Sequence, residues 1–301
     1  MDNFNTKETY PQIYQIELTE KCNLKCPMCL NHMMKDKVDA EKELIDIICD
    51  NDYLKNTIYT EFQFSGEPTL SPILDYAIDR VKATKTLVGL STNLSTVKKC
   101  IESLKKLDCI TVSFDIFDKE IYEQTRYPQK FETFIDNFLF LMNNLTKNTL
   151  VEIQLIKSEW SKNKYDEAKK NLLAFLEENA FSNITIREIG DSFVNYHGKG
   201  DSDSSSEMCL NPFYTVSIKA NGTVVPCSVD FFKEIPLGNL YKKPLDEIWN
   251  SPSMDLFRLA HRSEFGLPKK CKECYGRSPI IYMNKVIIQQ CLEYKLSLLE
   301  K

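Results

Sequence analysis

The sequence has no apolar run near the ~18 residues that a membrane span requires. The best candidate, Phe134 to Met142, is interrupted by Asp136 and Asn137. The first residues, MDNFNTK, offer no apolar stretch of the kind that makes a signal peptide, so a cytoplasmic protein is expected. A basic excess is also missing: 38 Lys and Arg stand against 43 Asp and Glu, a net charge of −5. That balance argues against a nucleic-acid footprint, which needs a basic patch. Lys and Glu alternate without long blocks, as on solvated helix faces. No internal repeat is visible. The cysteine count, 11, is odd. In a reducing compartment it points to metal or catalysis rather than to a disulfide frame.

At 301 residues the chain exceeds the roughly 250 at which a single core stops growing, so one large domain with a smaller one behind it is expected. Apolar runs alternate with helical patterns. Expected strands are Ile13–Thr19, Ile58–Ser65, Leu87–Thr92, Ile110–Asp115, Leu150–Ile156 and Asn183–Ile189. Expected helices are Asp39–Asp50, Pro72–Ala83, Thr96–Lys106, Phe131–Asn144 and Tyr165–Asn179. Strand-then-helix repeats imply a parallel sheet with right-handed crossovers.

The strands break one rule. A parallel sheet covered on both faces reads as near-continuously apolar. Here Tyr14, Ile16 and Leu18 oppose Gln15 and Glu17; Phe62 and Phe64 oppose Glu61, Gln63 and Ser65. Ile110, Val112 and Phe114 oppose Thr111, Ser113 and Asp115; Val151, Ile153 and Leu155 oppose Glu152 and Gln154; Ile184 and Ile186 oppose Thr185 and Arg187. With helices on the apolar face, the polar face lines a cavity. The fold class expected is α/β, a partial (β/α)6 barrel over residues 10–190, with a half-solvated sheet face as the alternative. Residues 191–207, rich in Gly, Ser and Asp, read as a flexible loop or linker. A small C-terminal hairpin-and-helix domain follows over 208–279, its hairpin Phe213–Lys219 and Thr223–Val225 turning at Asn221-Gly222. Short helices are expected near Leu245–Asn250 and Pro252–Arg262, then a C-terminal amphipathic helix over 280–301.

Chemistry concentrates in two cysteine groups. Cys22, Cys26 and Cys29 form C-x3-C-x2-C directly after the first strand, at the end where parallel barrels place their active sites. Thiolates at short spacing on one loop can wrap a single iron–sulfur cluster, and three leave one iron open. A zinc loop is the alternative, with His32 as a fourth ligand. Cys209, Cys227, Cys271 and Cys274 make the second group, for which a zinc ribbon is the alternative. Cys49 and Cys100 fall on helices and read as small core residues. Cys109 precedes the fourth strand, which Asp115 ends, ~20 Å away at ~3.3 Å per residue. Cys291 lies in the tail.

The first cysteine group, with Ser65-Gly66-Glu67-Pro68 at the end of the second strand, resembles the radical S-adenosylmethionine superfamily. Met28 stands where many members have an aromatic residue, and Ser65 where the family's G-G-E-P motif begins with Gly. The resemblance implies that Cys22, Cys26 and Cys29 bind a 4Fe–4S cluster. Its free iron chelates S-adenosylmethionine, which is cleaved to a deoxyadenosyl radical that abstracts hydrogen from substrate. It further implies S-adenosylmethionine contacts at Ser65, Gly66 and Glu67, and at the strand-end residues Ser91, Asn93, Ser113 and Asp115. The second group, with Gly222 in the turn and Leu237-Gly238-Asn239-Leu240 before the C-x2-C pair, resembles the auxiliary-cluster region called SPASM in its shortened "twitch" form. One auxiliary 4Fe–4S cluster on Cys209, Cys227, Cys271 and Cys274 is therefore expected, two clusters in all. An electron donor such as flavodoxin or ferredoxin is implied as partner.

An auxiliary cluster that accepts an electron suits an oxidation, and shortened members of this kind oxidise a secondary alcohol on an aminocyclitol. A small polar substrate is expected, with no nucleic-acid or membrane partner. Arg187, the cation on the luminal face, is the candidate catalytic residue, its alternative being a salt bridge to Glu17, Glu61 or Glu152. Tyr196 and His197 are weaker candidates for substrate contact. Two further readings stay open. One is a peptide-modifying enzyme; the first strand begins near Ile13, which leaves no room for an N-terminal peptide-recognition domain within this sequence. The other is an epimerase, disfavoured because no spare cysteine is expected at the mouth.

Overall fold

The computed structural model describes residues 10–181, 183–189, 209–228, 230, 232–263, 265–272, 288–289 and 293. Its strands are β1 (Ile13–Ile16), β2 (Tyr59–Phe62), β3 (Leu87–Thr92), β4 (Cys109–Asp115), β5 (Leu150–Ile156), β6 (Ile184–Ile189), β7 (Thr215–Ile218), β8 (Thr223–Val225) and β9 (Gly238–Asn239). The helices are α1 (Lys42–Asp50), α2 (Asp52–Lys55), α3 (Leu74–Lys82), α4 (Val97–Leu104), α5 (Lys119–Thr125), α6 (Phe131–Asn144) and α7 (Tyr165–Glu178), then α8 (Asn211–Tyr214), α9 (Leu245–Trp249), α10 (Pro252–Ser263) and α11 (Lys269–Lys272). Short 3-10 turns lie at Leu30–Met33 and Pro68–Leu70. Tyr196, His197, Cys274 and Cys291 lie outside the described residues, as does most of the expected C-terminal helix.

The nine strands of the described residues form one sheet, in the order β6-β5-β4-β3-β2-β1-β7-β8-β9. The first six are parallel neighbours, as the strand–helix repeat predicts. The hairpin differs from expectation. Its first strand, β7, pairs in parallel with β1, Ile13 opposite Thr215 and Gln15 opposite Ser217. The parallel run therefore has one strand more than the six expected, and β8 and β9 extend it antiparallel. The physical reason is the edge of β1, whose unpaired backbone groups need a partner. Two strands are also shorter than their apolar patterns. The register of β1 with β2 ends at Ile16, while Glu17 N still donates to Ile218 O at 2.9 Å along β7. Helix α5 was not anticipated; its sequence signal is the N-cap Asp118, which accepts from Ile121 N.

The outer face carries the apolar half of each strand. Ile16, Phe62, Leu90, Val112, Phe114 and Ile153 pack under Leu44, Ile78, Leu104, Phe134 and Leu172 of the covering helices. Phe114 meets Phe134 edge-on at 4.7 Å and Phe138 at 5.7 Å. Cys49 is buried in this core and Cys100 packs against it.

The inner face is polar and equally buried. Gln15 and Glu152 have no exposure, and Glu61, Thr111, Thr215 and Ser217 are buried as well. The sheet curls round them. In a flat sheet β2 and β6 would stand about 19 Å apart, yet the charge of Arg187 on β6 acts on Glu61 of β2. The N-terminal end of this lumen is closed by an apolar floor of Ile13, Tyr59, Cys109 and Leu150, with Leu87 and Ile288 against it. Gly89 belongs to the floor by necessity, since a Cβ there would stand 1.9 Å from the Tyr59 hydroxyl. Cys109 thus sits at the opposite end of β4 from Asp115.

Candidate active site

The C-terminal ends of β1 to β4 gather the cysteine loop and the residues expected to surround it. The loop is pinned along its length. Glu20 N donates to Val38 O (2.9 Å), Lys25 N to Tyr127 O (2.7 Å) and Glu67 N to Lys21 O (2.8 Å). Cys29 caps the turn Leu30–Met33, its sulfur accepting from Asn31 N at 3.4 Å. Asn31, which the sequence did not single out, is the clasp: its buried amide donates to Glu20 O and to Ser65 O, 2.7 Å each.

Ser65 and Gly66 are held at the end of β2, against the cysteine loop. Glu17 accepts from Ser65 N at 3.1 Å and from the Ser65 hydroxyl. Gly66 is glycine because the cysteine loop crosses it: a Cβ would lie 2.0 Å from Thr19 O and 2.8 Å from Lys21 O, both backbone atoms. Gly66→Ala is therefore expected to displace the loop and to cost about 1–3 kcal/mol of stability, read by chemical denaturation. Wild-type stability would contradict the close approach.

Glu67 and Asp115 are present but engaged. Glu67 accepts from the Thr69 hydroxyl (2.6 Å), the Thr92 hydroxyl (2.7 Å) and Asn93 N (2.8 Å). It is buried, and desolvation raises its pKa against those bonds. Its carboxylate thus ties the ends of β2 and β3 together. Asp115, at φ +60° after a bulge in β4, binds the Arg126 guanidinium through two contacts of 2.5 Å. Arg126 is a second residue that the sequence did not reveal, delivered by the end of α5. Asn93 faces the loop, its amide 3.3 Å from Asn23 Oδ1 and 3.9 Å from Cys22 Sγ. Ser91 points the other way, into the lumen, and donates to Glu61 at 2.8 Å. Ser113 is half-buried, in register with Gln154.

The donor set suits an iron–sulfur cluster. Burial pushes the Cys26 thiol up to about 11, with the Arg126 cation pulling it down. Cys22 and Cys29 are raised by burial as well, and Arg126 opposes that too. Buried thiols beside a guanidinium are suited to deprotonation on metal binding. Among the described residues no three His, Cys, Asp or Glu are arranged to hold one metal ion. Of the second group, Cys209, Cys227 and Cys271 are each half-buried, before α8, after β8 and within α11.

Deeper in the lumen, Arg187 Nη2 pairs with Glu152 at 2.6 Å and reaches Gln154 at 3.1 Å. Of the three glutamates considered, Glu152 is its partner. Thr111 also donates to Glu152, at 3.3 Å. Burial raises Glu61 to about 7, against the Ser91 hydrogen bond and the Arg187 charge. Several polar atoms of this wall are buried without a hydrogen-bond partner in the protein: Gln15 Nε2, Glu152 Oε2, Thr185 Oγ1, Arg187 Nε and Thr215 Oγ1. Buried polar groups are normally satisfied. Such open donors and acceptors are ordinarily met by water or by a ligand.

Comparison with known proteins agrees with this layout. The model of the radical SAM superfamily matches residues 16–159. That of SPASM, described as an iron-sulfur cluster-binding domain, matches residues 209–275. The chain is 22% identical over 270 residues to the S-adenosyl-L-methionine-dependent 2-deoxy-scyllo-inosamine dehydrogenase of Niallia circulans, covering 85% of this chain and 91% of that one. It is 22% identical over 276 residues to the antilisterial bacteriocin subtilosin biosynthesis protein AlbA of Bacillus subtilis, covering 78% of this chain but 59% of the relative. The crystal structure of Streptococcus suis SuiB bound to its precursor peptide SuiA superimposes with a TM-score of 0.62 at 15% identity, over 89% of this chain and 70% of SuiB. That likeness is one of fold.

Proposed function

Because the chain belongs to the radical SAM superfamily and carries a SPASM iron–sulfur domain, we propose that it is an oxidoreductase of a small polar molecule, one bearing hydroxyl or amine groups. The observation that carries the proposal is the lumen: polar, buried, closed at its floor, and lined by groups with unused hydrogen-bonding capacity. The match over 91% of a dehydrogenase, against 59% of AlbA, supports the same reading.

Cys22, Cys26 and Cys29 would hold a 4Fe–4S cluster and, beside it, S-adenosylmethionine, which together supply one-electron chemistry able to remove a hydrogen atom from a substrate carbon. Ser65, Gly66, Asn93 and Ser113 line the approach to that position, while Glu67 and Asp115 hold its walls. Glu61 is the group placed to take the proton from the substrate's hydroxyl or amine: it is buried, luminal and titrates near neutrality, as a general base should. Arg187, tied to Glu152, has its role in orienting substrate through Nε, which the ion pair leaves open. Cys209, Cys227, Cys271 and Cys274 would hold an auxiliary cluster, whose chemistry is to accept the second electron. The first electron would come from a donor such as flavodoxin or ferredoxin.

The test is anaerobic reconstitution followed by turnover of candidate polyols and amino sugars deuterated at the reacting carbon. Deuterium is expected in deoxyadenosine. A substrate that is turned over without such transfer would overturn the radical assignment. Turnover of a precursor peptide, with every polyol inert, would replace the small-molecule reading by peptide modification. Cys271→Ala with Cys274→Ala is expected to spare S-adenosylmethionine cleavage and to block two-electron product formation. Undiminished product would remove the acceptor role.

A further inference from the structure

The sheet brings two lysines of the C-terminal unit onto two glutamates of the first cysteine loop. Lys219 follows β7 and is fully buried. Its ammonium lies 2.8 Å from Glu17 Oε1, 3.3 Å from Ser65 Oγ and 3.9 Å from Glu20 Oε1, with the Phe64 ring 4.4 Å away. The other Glu17 oxygen accepts from Ala220 N at 3.1 Å, so both oxygens are engaged by the segment that leaves β7. Lys233 approaches from the turn after Cys227 and pairs with Glu20 Oε1 at 2.9 Å. Glu20 in turn accepts from Val38 N.

These contacts are costly. A lysine out of water needs its charge fully matched, and a buried ion pair adds little stability over an apolar pair of similar volume. What such a pair fixes is geometry. Here it fixes Glu17, which holds Ser65 by both amide and hydroxyl. Ser65 sits beside Gly66 and shares the Asn31 clasp with Glu20. Every one of these links ends on the loops that surround the three cysteines.

We infer that Lys219 and Lys233 form a clamp by which the C-terminal unit positions the S-adenosylmethionine cradle of the N-terminal one. The C-terminal unit then has a duty distinct from holding a cluster of its own. The inference rests on S-adenosylmethionine being bound at the cysteine loop, and the two can fail separately.

The probe is S-adenosylmethionine itself, bound to the full chain after anaerobic iron–sulfur reconstitution. Its dissociation constant and the electron paramagnetic resonance spectrum of the reduced protein, with and without it, are the readouts. The informative variant is Glu17→Gln with Lys219→Met, which removes both charges and so avoids stranding either one. Its iron content and melting temperature are expected to stay near wild type, while S-adenosylmethionine binds at least tenfold more weakly and perturbs the spectrum less. A double variant with wild-type affinity overturns the clamp. If the double variant does not fold, Lys233→Met carries the test, its side chain being 27% exposed: at least threefold weaker binding is expected, and unchanged binding overturns the clamp. A wild-type chain that binds no S-adenosylmethionine overturns the cofactor reading, and the clamp falls with it.

Discussion

Replacing Glu61 by glutamine is expected to slow turnover by about 10²–10⁴-fold and, at pH 8, to make the protein more stable than wild type. Both follow from one fact: burial lifts this carboxyl from an ordinary 4.5 to about 7. For catalysis, a base must be deprotonated before it can accept a proton. The wild-type rate should therefore rise with pH through about 7, and the glutamine variant should lose that limb. For stability, the folded chain keeps the Glu61 proton over a pH range in which the unfolded chain has released it. Stability is accordingly lost as pH rises from about 4.5, and the loss is complete above about 7. The interval corresponds to about 3 kcal/mol at most. Glutamine carries no such penalty and can still accept from Ser91. Urea denaturation at pH 5 and pH 8 separates the cases: the two proteins should be closest at pH 5 and diverge at pH 8. Equal stability at both would remove Glu61 from the role of buried, proton-holding group.

Lys219→Met alone is expected to destabilise the chain by about 3–5 kcal/mol, a large part of the 5–15 kcal/mol that folded domains possess. The loss comes from the partner left behind. Glu17 is 1% exposed and would lose the ammonium 2.8 Å from its carboxylate, leaving Ser65 and the Ala220 amide as its partners. Adding Glu17→Gln should recover most of the loss, which distinguishes a stranded charge from a packing defect. A single variant within 1 kcal/mol of wild type, by chemical denaturation, would show that Lys219 is not electrostatically matched as described.

Much of this was legible in the order of residues. Strict alternation in β1, β2, β4, β5 and β6 announced two faces, and the polar face is buried as a lumen should be. The cysteine spacing and the Ser65-Gly66-Glu67 turn lie together at the ends of β1 and β2, because parallel strands bring their C-terminal ends to one side. What the sequence hid depends on partners far along the chain. Asn31 looks like any loop asparagine until Glu20 and Ser65 converge on its amide. Arg126 follows a short helix whose one local sign is the cap Asp118, and only the φ of Asp115 turns that carboxylate toward it. Lys219 was only the last residue of an expected hairpin strand; its burial is decided by β7 pairing with β1, from which it is separated by about 200 residues. Glu61 read as one polar residue among many. Its near-neutral titration is a property of the closed wall, not of the strand.

That pairing of β1 with β7 also orders events during synthesis. β1 keeps an open edge until β7, about 200 residues further along, has been made and Ile13 to Ile16 can meet Thr215 to Ile218. Contacts so distant in sequence form slowly and late. The loop with the first three cysteines hangs from that strand, and its two glutamates await lysines translated later still. The growing chain would therefore expose its thiols well before the walls that shield them exist.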